Sequence, residues 1–211
     1  MIVSVAPDLA AIVRLGVLEF EGLTIREREP ALDAALASIE AQVRRHPPEQ
    51  SAAVRTMYRR SGLDPTRRRP SSEALLRRVL KGDRLPRINS LVDVCNWCSL
   101  EYQLPYGLYD TKHVTPPITL RFGRDNESYP GIRKDDVHVA GRITLADVDG
   151  PFGNPSSDSA RTMVTPSTTC ALMVIYAPAD VPLERLQHAL AESSRRATIY
   201  CGGTETSASV V

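Results

Sequence analysis

Leu85-Pro-Arg-Ile-Asn-Ser-Leu-Val-Asp-Val-Cys-Asn-Trp-Cys-Ser-Leu-Glu-Tyr-Gln-Leu-Pro-Tyr-Gly-Leu-Tyr-Asp110 is the stretch on which the reading of this chain turns. Wound into a helix from about Ser90, which can cap it, to Tyr102, it places Leu91, Val94, Cys95, Cys98 and Tyr102 on one face. Trp97 and Leu100 fall on the opposite face, beside Asp93 and Asn96. A helix with apolar residues on both flanks is packed on both. Asp93 and Asn96, three positions apart, share that second face, where each needs a backbone partner or a ligand. Asp93 reads first as a partner for neighbouring loop backbone; Asn96 reads equally as a packed amide or a cleft residue.

Upstream of this helix the periodicity is also helical. Pro30 suits the first turn of a helix to about Arg45, with Leu32, Leu36, Ile39 and Val43 at helical spacing. A second helix is expected over Ser51–Arg60, and a third over Ser72–Lys81, capped by Ser71 and stopped by Gly82. Before them, Ile2–Val5 is a short β-branched run, and 15–25 alternates well enough to predict a strand pair. Downstream of Pro105 the pattern changes to strands: Ile118–Phe122, His138–Ala140, Ile143–Asp147 and Ala171–Ala177, each bounded by turn residues. An amphipathic helix over Leu183–Arg196 closes the pattern, and the small, polar tail from Cys201 is expected to fray. Helices first and strands afterwards, without strict alternation, predict an α+β fold with a mostly antiparallel or mixed central sheet and flanking helices. Residues 1–203 read as one domain and 204–211 as a flexible tail.

Composition narrows the class. With 42% hydrophobic and 24% charged residues among 211, the chain can close a core and is not largely disordered. A formal charge of +1 gives no global pull toward nucleic acid or membrane. No apolar run approaches a membrane span, and the N-terminus has no secretory pattern, so a cytoplasmic location is expected. Four cysteines do not make a disulfide framework in a chain this long.

The Leu85–Asp110 stretch resembles the core motif of the editing domain in bacterial phenylalanyl-tRNA synthetase β subunits, and of that domain's free-standing relatives. The motif residues stand here as Asn89, Val92-Asp93, Asn96, Glu101, Pro105 and Tyr109-Asp110. The upstream run from Arg69 to Gly82 resembles the free-standing branch. The resemblance extends over roughly residues 1–203, through Leu120–Phe122, the strand ending at Asp147, and Leu172–Ile175. It implies a cleft that holds an aminoacyl group and aligns a water on its ester carbonyl. In the synthetase this domain removes tyrosine wrongly attached to the phenylalanine tRNA. Carried over by position, Asn96 matches a cleft asparagine. Gly107 stands where the synthetase has a histidine, and Tyr176 where it has a glutamate that reads the wrong side chain's hydroxyl. Those departures argue against tyrosine editing and leave the substrate open. The resemblance further places Asp93, Tyr109, Asp110, Thr165, Thr168, Tyr176, Gly153 and Asn154 around the substrate. Backbone amides near Gly107 and in a glycine-rich loop, Gly150–Gly153, are candidates to stabilise an oxyanion.

Other motifs carry less. Cys95-Asn-Trp-Cys98 lies within a helix on its apolar stripe, which suits two core cysteines better than a redox pair at a helix N-terminus. The histidines show no metal spacing, and His113 is placed near the motif loop. Thr165–Thr169 lacks a nucleophile-elbow context, and its hydroxyls read as a turn. Between Arg67 and Arg87 the chain is strongly basic; on the third helix Leu75, Leu76, Val79 and Leu80 are expected inward, leaving Arg77, Arg78 and Lys81, with Arg69, for solvent or for RNA phosphates. No cofactor or metal is called for.

Three functions fit. One is a trans-acting aminoacyl-tRNA deacylase that binds the tRNA acceptor end, with Asn96 orienting water or substrate. The second is an enzyme using the same fold on a free, small amino-acid derivative. The third is a non-catalytic module that binds an amino acid or tRNA.

Overall fold

The computed structural model describes residues 1–133 and 135–211. In chain order the elements are β1 (Val3–Val5), β2 (Val13–Glu21), α1 (Pro30–Arg45), α2 (Ala52–Arg60), α3 (Ser71–Leu80), α4 (Ser90–Tyr102), β3 (Tyr106–Asp110), β4 (Ile118–Phe122), β5 (Ser128–Pro130), β6 (Asp136–His138), β7 (Ile143–Asp147), β8 (Gly150–Asn154), β9 (Ser157–Asp158), β10 (Ala171–Pro178), α5 (Leu183–Cys201) and β11 (Thr204–Val210). The class is α+β, with flanking helices, as the order of periodicities predicts. The strands form two principal sheets rather than one central sheet. One has the order β11-β2-β10-β3 and is antiparallel throughout; the other has the order β1-β4-β7-β8-β9 and is parallel only between β1 and β4.

Local chemistry sets the helix boundaries. Pro30 opens α1, and the Glu29 carboxylate accepts the Ala31 N–H. Ser51 caps α2 through its hydroxyl, which accepts the Val54 N–H at 3.3 Å. Two expected caps are displaced. Asn89 rather than Ser90 caps α4, its side-chain oxygen accepting the Val92 N–H at 3.0 Å. Ser90 is thereby drawn inside, where its hydroxyl accepts the Arg26 N–H. Ser71 begins α3 instead of capping it, and donates to the Pro155 carbonyl across the fold. On α3, Leu76 and Val79 are buried, whereas Leu80, expected inward, is exposed.

Helices α4 and α5 lie on one face of the β11-β2-β10-β3 sheet. This is why α4 is apolar on both flanks and why β10 is buried along its whole length. Gly16 in β2 sits directly beneath α5: a Cβ there would come within 3.0 Å of Leu186 Cδ1 and 3.1 Å of Leu190 Cδ2. The missing side chain lets helix and strand approach closely. On the sheet's other face, Tyr109 of β3 meets Phe152 of β8 edge to face, with ring centroids 4.9 Å apart. That contact brings the β8–β9 end of the second sheet against the first.

Three expectations about the ends of elements are corrected. The pattern over 15–25 forms the single strand β2, not a strand pair, because its partners β10 and β11 come from far along the chain. The last helix continues to Cys201, since Ala197 and Cys201 keep the buried stripe going. The tail expected to fray forms β11 on the outer edge of β2, where alternating small and polar residues suit an exposed edge strand. Among the described residues, no helix is long and apolar enough to cross a membrane.

Candidate functional site

A cavity of about 280 Å³ lies between α4, the edge strand β3 and the irregular segments on either side of β9. Helix α4 contributes Val92, Cys95 and Asn96, one turn of a single face. Strand β3 contributes Tyr106 and Leu108, alternate residues that point to the same side of the sheet. Ile88 precedes the helix; Ile132 and Arg133 lie on one rim, and Asp158, Met163 and Val164 on another. The walls are mostly aliphatic, with polar groups from Asn96, Arg133 and Asp158. Larger concavities, of about 570 Å³ between α5 and β11 and about 380 Å³ beside Arg68, are flatter.

Asn96 is half-buried in this cleft, and its side chain makes no hydrogen bond to a described residue. Of the two polar residues on that helix face, it is the one free to meet a ligand. Asp93, 4% exposed, points elsewhere and accepts the Ile88 N–H at 2.8 Å. It therefore supports the cleft indirectly, by fixing the backbone of Ile88. Burial outweighs that hydrogen bond and the pull of Arg87, and raises the Asp93 carboxyl to about 6.

Cys95 also lines the cleft, but burial raises its thiol well above the usual range, so it is protonated at neutral pH and unsuited to nucleophilic attack. Cys98 faces the core, where the Arg196 guanidinium lies 3.7 Å from its sulfur. All four cysteines are unpaired. Among the described residues, no group of three or more His, Cys, Asp or Glu side chains is poised to hold a metal.

The remaining residues placed around the substrate by the motif do not line this cleft. Tyr109 and Tyr176 are wholly buried, and their hydroxyls bond each other at 2.9 Å. Gly107 and Gly153 stand on either side of that pair: a Cβ at either position would overlap the Tyr109 hydroxyl. Their lack of side chains makes room for an internal phenol. The glycine-rich segment 150–153 is the strand β8, not a loop, and Gly153 pairs there with Leu145 and Asp158. Asn154 is buried and accepts the Ser156 N–H, closing a turn. Asp110 accepts from the Thr168 hydroxyl at 2.6 Å and from the Lys112 N–H at 3.0 Å. Thr168 also accepts the Thr165 N–H, so these residues tie two loops together. That network ends one residue from Val164, a cleft residue. His113 is exposed and does not line the cleft.

The basic residues gather nearby. Arg69, Arg77 and Lys81 line a groove of about 330 Å³ with Arg55 and Glu73. Arg69 and Arg68 line the neighbouring groove with Ser156 and Ser157, and Ser157 adjoins Asp158 of the cleft. Arg78 turns away, its Nε donating to the Arg84 carbonyl.

Four of the eleven lining residues carry no signal in the sequence. Ile132, Arg133 and Met163 sit in irregular segments, and Asp158 in the two-residue strand β9, with no periodicity or motif. Only their return to the edge of β3 makes them a wall.

Fold and cleft together define an α+β domain with an enclosed apolar site at a helix–strand edge. The chain belongs to the B3/4 domain family, whose match covers residues 53–199. In structure it is similar to an N-terminal fragment of the phenylalanyl-tRNA synthetase beta-subunit from Pyrococcus horikoshii, with a TM-score of 0.51 and 15% identity. The match covers 97% of this chain and 50% of that one, so the chain spans half the length of that fragment. At such low identity the likeness is one of fold. A comparison with curated proteins finds no match.

Proposed function

We propose that the cleft beside Asn96 binds an aminoacyl group and that the chain hydrolyses a mischarged aminoacyl-tRNA in trans. The observation that carries this reading is the uncommitted Asn96 carboxamide at the edge of an enclosed, apolar cavity of single-residue size. Membership of the B3/4 domain family and the fold shared with a synthetase fragment support it.

An aminoacyl ester is already reactive, so orientation supplies much of the rate. Asn96 holds water against the ester carbonyl. Water adds to the carbon, the C–O bond to the ribose breaks, and the departing oxygen takes up the water's proton. The products are a free amino acid and an intact tRNA end. Cys95, held protonated, is a wall and not a nucleophile. Arg69, Arg77 and Lys81, with Arg68, line two adjoining grooves and would contact acceptor-end phosphates.

The test is a deacylation time course on correctly and wrongly charged tRNAs, with Asn96→Ala and a triple Arg69→Glu/Arg77→Glu/Lys81→Glu variant alongside. Selective release of one amino acid, lost in Asn96→Ala and weakened by the charge reversals, is expected. Unchanged release by folded Asn96→Ala overturns the assignment. Salt-independent turnover of a free amino-acid derivative, unaffected by the charge reversals, favours the second reading, a small-molecule enzyme. The near-neutral net charge of the chain speaks for that reading.

A further inference from the structure

We infer that the chain pairs with a second copy of itself, strand β11 against strand β11, so that two β11-β2-β10-β3 sheets join into one and two α5 helices lie side by side. The inference stands apart from the aminoacyl reading above.

The starting observation is an open sheet edge. At the far side of this sheet every residue of β3 is buried, whereas residues 204–209 of β11 are all exposed. Leu15 and Val211 exchange two backbone hydrogen bonds, the Leu15 N–H donating at 2.7 Å and the Val211 N–H at 2.9 Å. Such pairs alternate along an antiparallel ladder, so Ala208 and Val210 turn their N–H and C=O groups outward, away from β2. Features that discourage edge pairing are confined to the start of the strand, where Glu205 stands beside a bulge. From Ser207 onward the strand is regular and carries no lysine, arginine or proline.

The second observation is the charge pattern beside that edge. A groove of about 570 Å³ runs along it, lined by Leu183, Gln187 and Ala191 from one stripe of α5 and by Arg14, Glu205 and Val210 from the strands. Glu205 lies at one end of the groove, where it pairs with Phe20; Arg14 lies at the other, beyond the Val210–Gly16 pair. Arg14 makes one hydrogen bond, to the Val181 carbonyl at 3.4 Å, and Glu205 makes none to a described residue. A second β11 entering antiparallel brings its Glu205 to the Arg14 end and its Arg14 to the Glu205 end. Two-fold symmetry makes the complementary contact twice. An unrelated strand would have to supply both charges, which the copy already holds.

The third observation is spacing. Helix α5 packs over both β2 and β11. With strands about 4.8 Å apart, a helix centred over that pair lies about 10 Å from its symmetry mate. Helices pack at about that distance. The stripe they share is uncharged, and Leu183, 46% exposed in the single chain, gains cover there. Because β3 is the opposite edge of the sheet, both clefts stay open at the outer ends of the pair.

The experiment is sedimentation of the full chain over a dilution series. A species of twice the chain's mass, dissociating on dilution, is expected. Ala208→Pro removes an outward N–H and no bond to β2, and is expected to sediment as a single chain with an unchanged circular dichroism spectrum. Arg14→Glu and Glu205→Arg are each expected to raise the dissociation constant about tenfold or more, and the two together to restore it. These surface changes serve if the proline variant fails to fold. A single chain at every concentration overturns the inference, whether or not the edge accepts an extended peptide. A dimer indifferent to folded Ala208→Pro and to the charge reversals uses another surface and overturns it as well. A double reversal as weak as the single ones removes the antiparallel contact and overturns it too.

Discussion

The hydroxyls of Tyr109 and Tyr176 meet at 2.9 Å although the two residues are not opposite each other in the sheet. Tyr109 pairs with Leu172, and Gly107 pairs with Val174. To reach Tyr176 the Tyr109 ring must lie along its own strand, over Gly107. Burial raises both phenols well above their usual range, so the bond joins two neutral groups.

Removing either hydroxyl leaves the other buried without this partner. Tyr109→Phe and Tyr176→Phe are each expected to lower stability by about 1–2 kcal/mol. The double variant should lose less than the sum, since removing both partners strands neither. Urea unfolding of the four proteins measures the coupling; strict additivity would contradict a direct bond.

Gly107→Ala is expected to be far costlier than an ordinary strand substitution. The new methyl overlaps the Tyr109 hydroxyl, and a buried ring has nowhere to swing. A loss of about 2–3 kcal/mol is expected, in the range for overpacked cores. Tyr109→Leu in the same chain should recover part of it, which separates the steric clash from an effect on β3 itself. Thermal unfolding of the two variants and the double variant checks this.

Much of this architecture could be read from residue order, and the reasons for what could not are local. Helix α4 was legible because its two apolar faces have helical period and Asp93 and Asn96 are the polar residues that interrupt one of them. Asp93 was legible only as to its bland role, a backbone partner in the Ile88 loop. Strand β3 was not legible, since Tyr-Gly-Leu-Tyr-Asp carries no alternation: both faces of the strand are buried. Nor was the fate of Tyr109. A tyrosine between two glycines distant in sequence gives no periodic signal, and its position in a motif suggests a ligand contact. Asp158, in the two-residue strand β9, and Met163, in irregular chain, entered the site through tertiary return, which no pattern of neighbours encodes.

Asp93 makes stability depend on pH. Its carboxyl titrates near 6 in the folded chain against an ordinary value of 3.8, so the folded state holds the proton more tightly. The resulting stabilisation is present below about pH 4 and is lost as pH rises through about 6. Asp93→Asn keeps an oxygen for the Ile88 N–H and removes the titration. It is expected to gain about 2–3 kcal/mol on the parent between pH 4 and pH 8. Parallel denaturation series at the two pH values decide the matter; a constant difference would show that Asp93 does not titrate in that window.

Arg196 is 6% exposed, bonded to Glu101 at 2.8 Å and stacked over Trp97 with 4.2 Å to the ring centroid. Arg196→Ala removes a cation–π contact, an ion pair and packing at the α4–α5 seam. A loss of about 3 kcal/mol is expected. Tryptophan fluorescence should report it, as Trp97 is the chain's one tryptophan. Arg196→Lys should restore the charge but not the planar stacking, and so recover only part.

Strand β2 is made early and completed late. Its neighbours on either side are β10, where Ala171 meets Phe20, and β11, where Ser209 meets Val17. At about 5–20 residues per second of synthesis, roughly 10 s or more separate the appearance of β2 from that of its last partner. Until β10 emerges, a nine-residue strand with five apolar side chains has both edges open on the ribosome. The cleft wall β3 hangs from the same late strand, β10, so the site cannot assemble before the chain is nearly finished. Burdens on the cell's chaperones, more than the equilibrium contacts of the finished fold, would then decide how much active protein each round of translation yields.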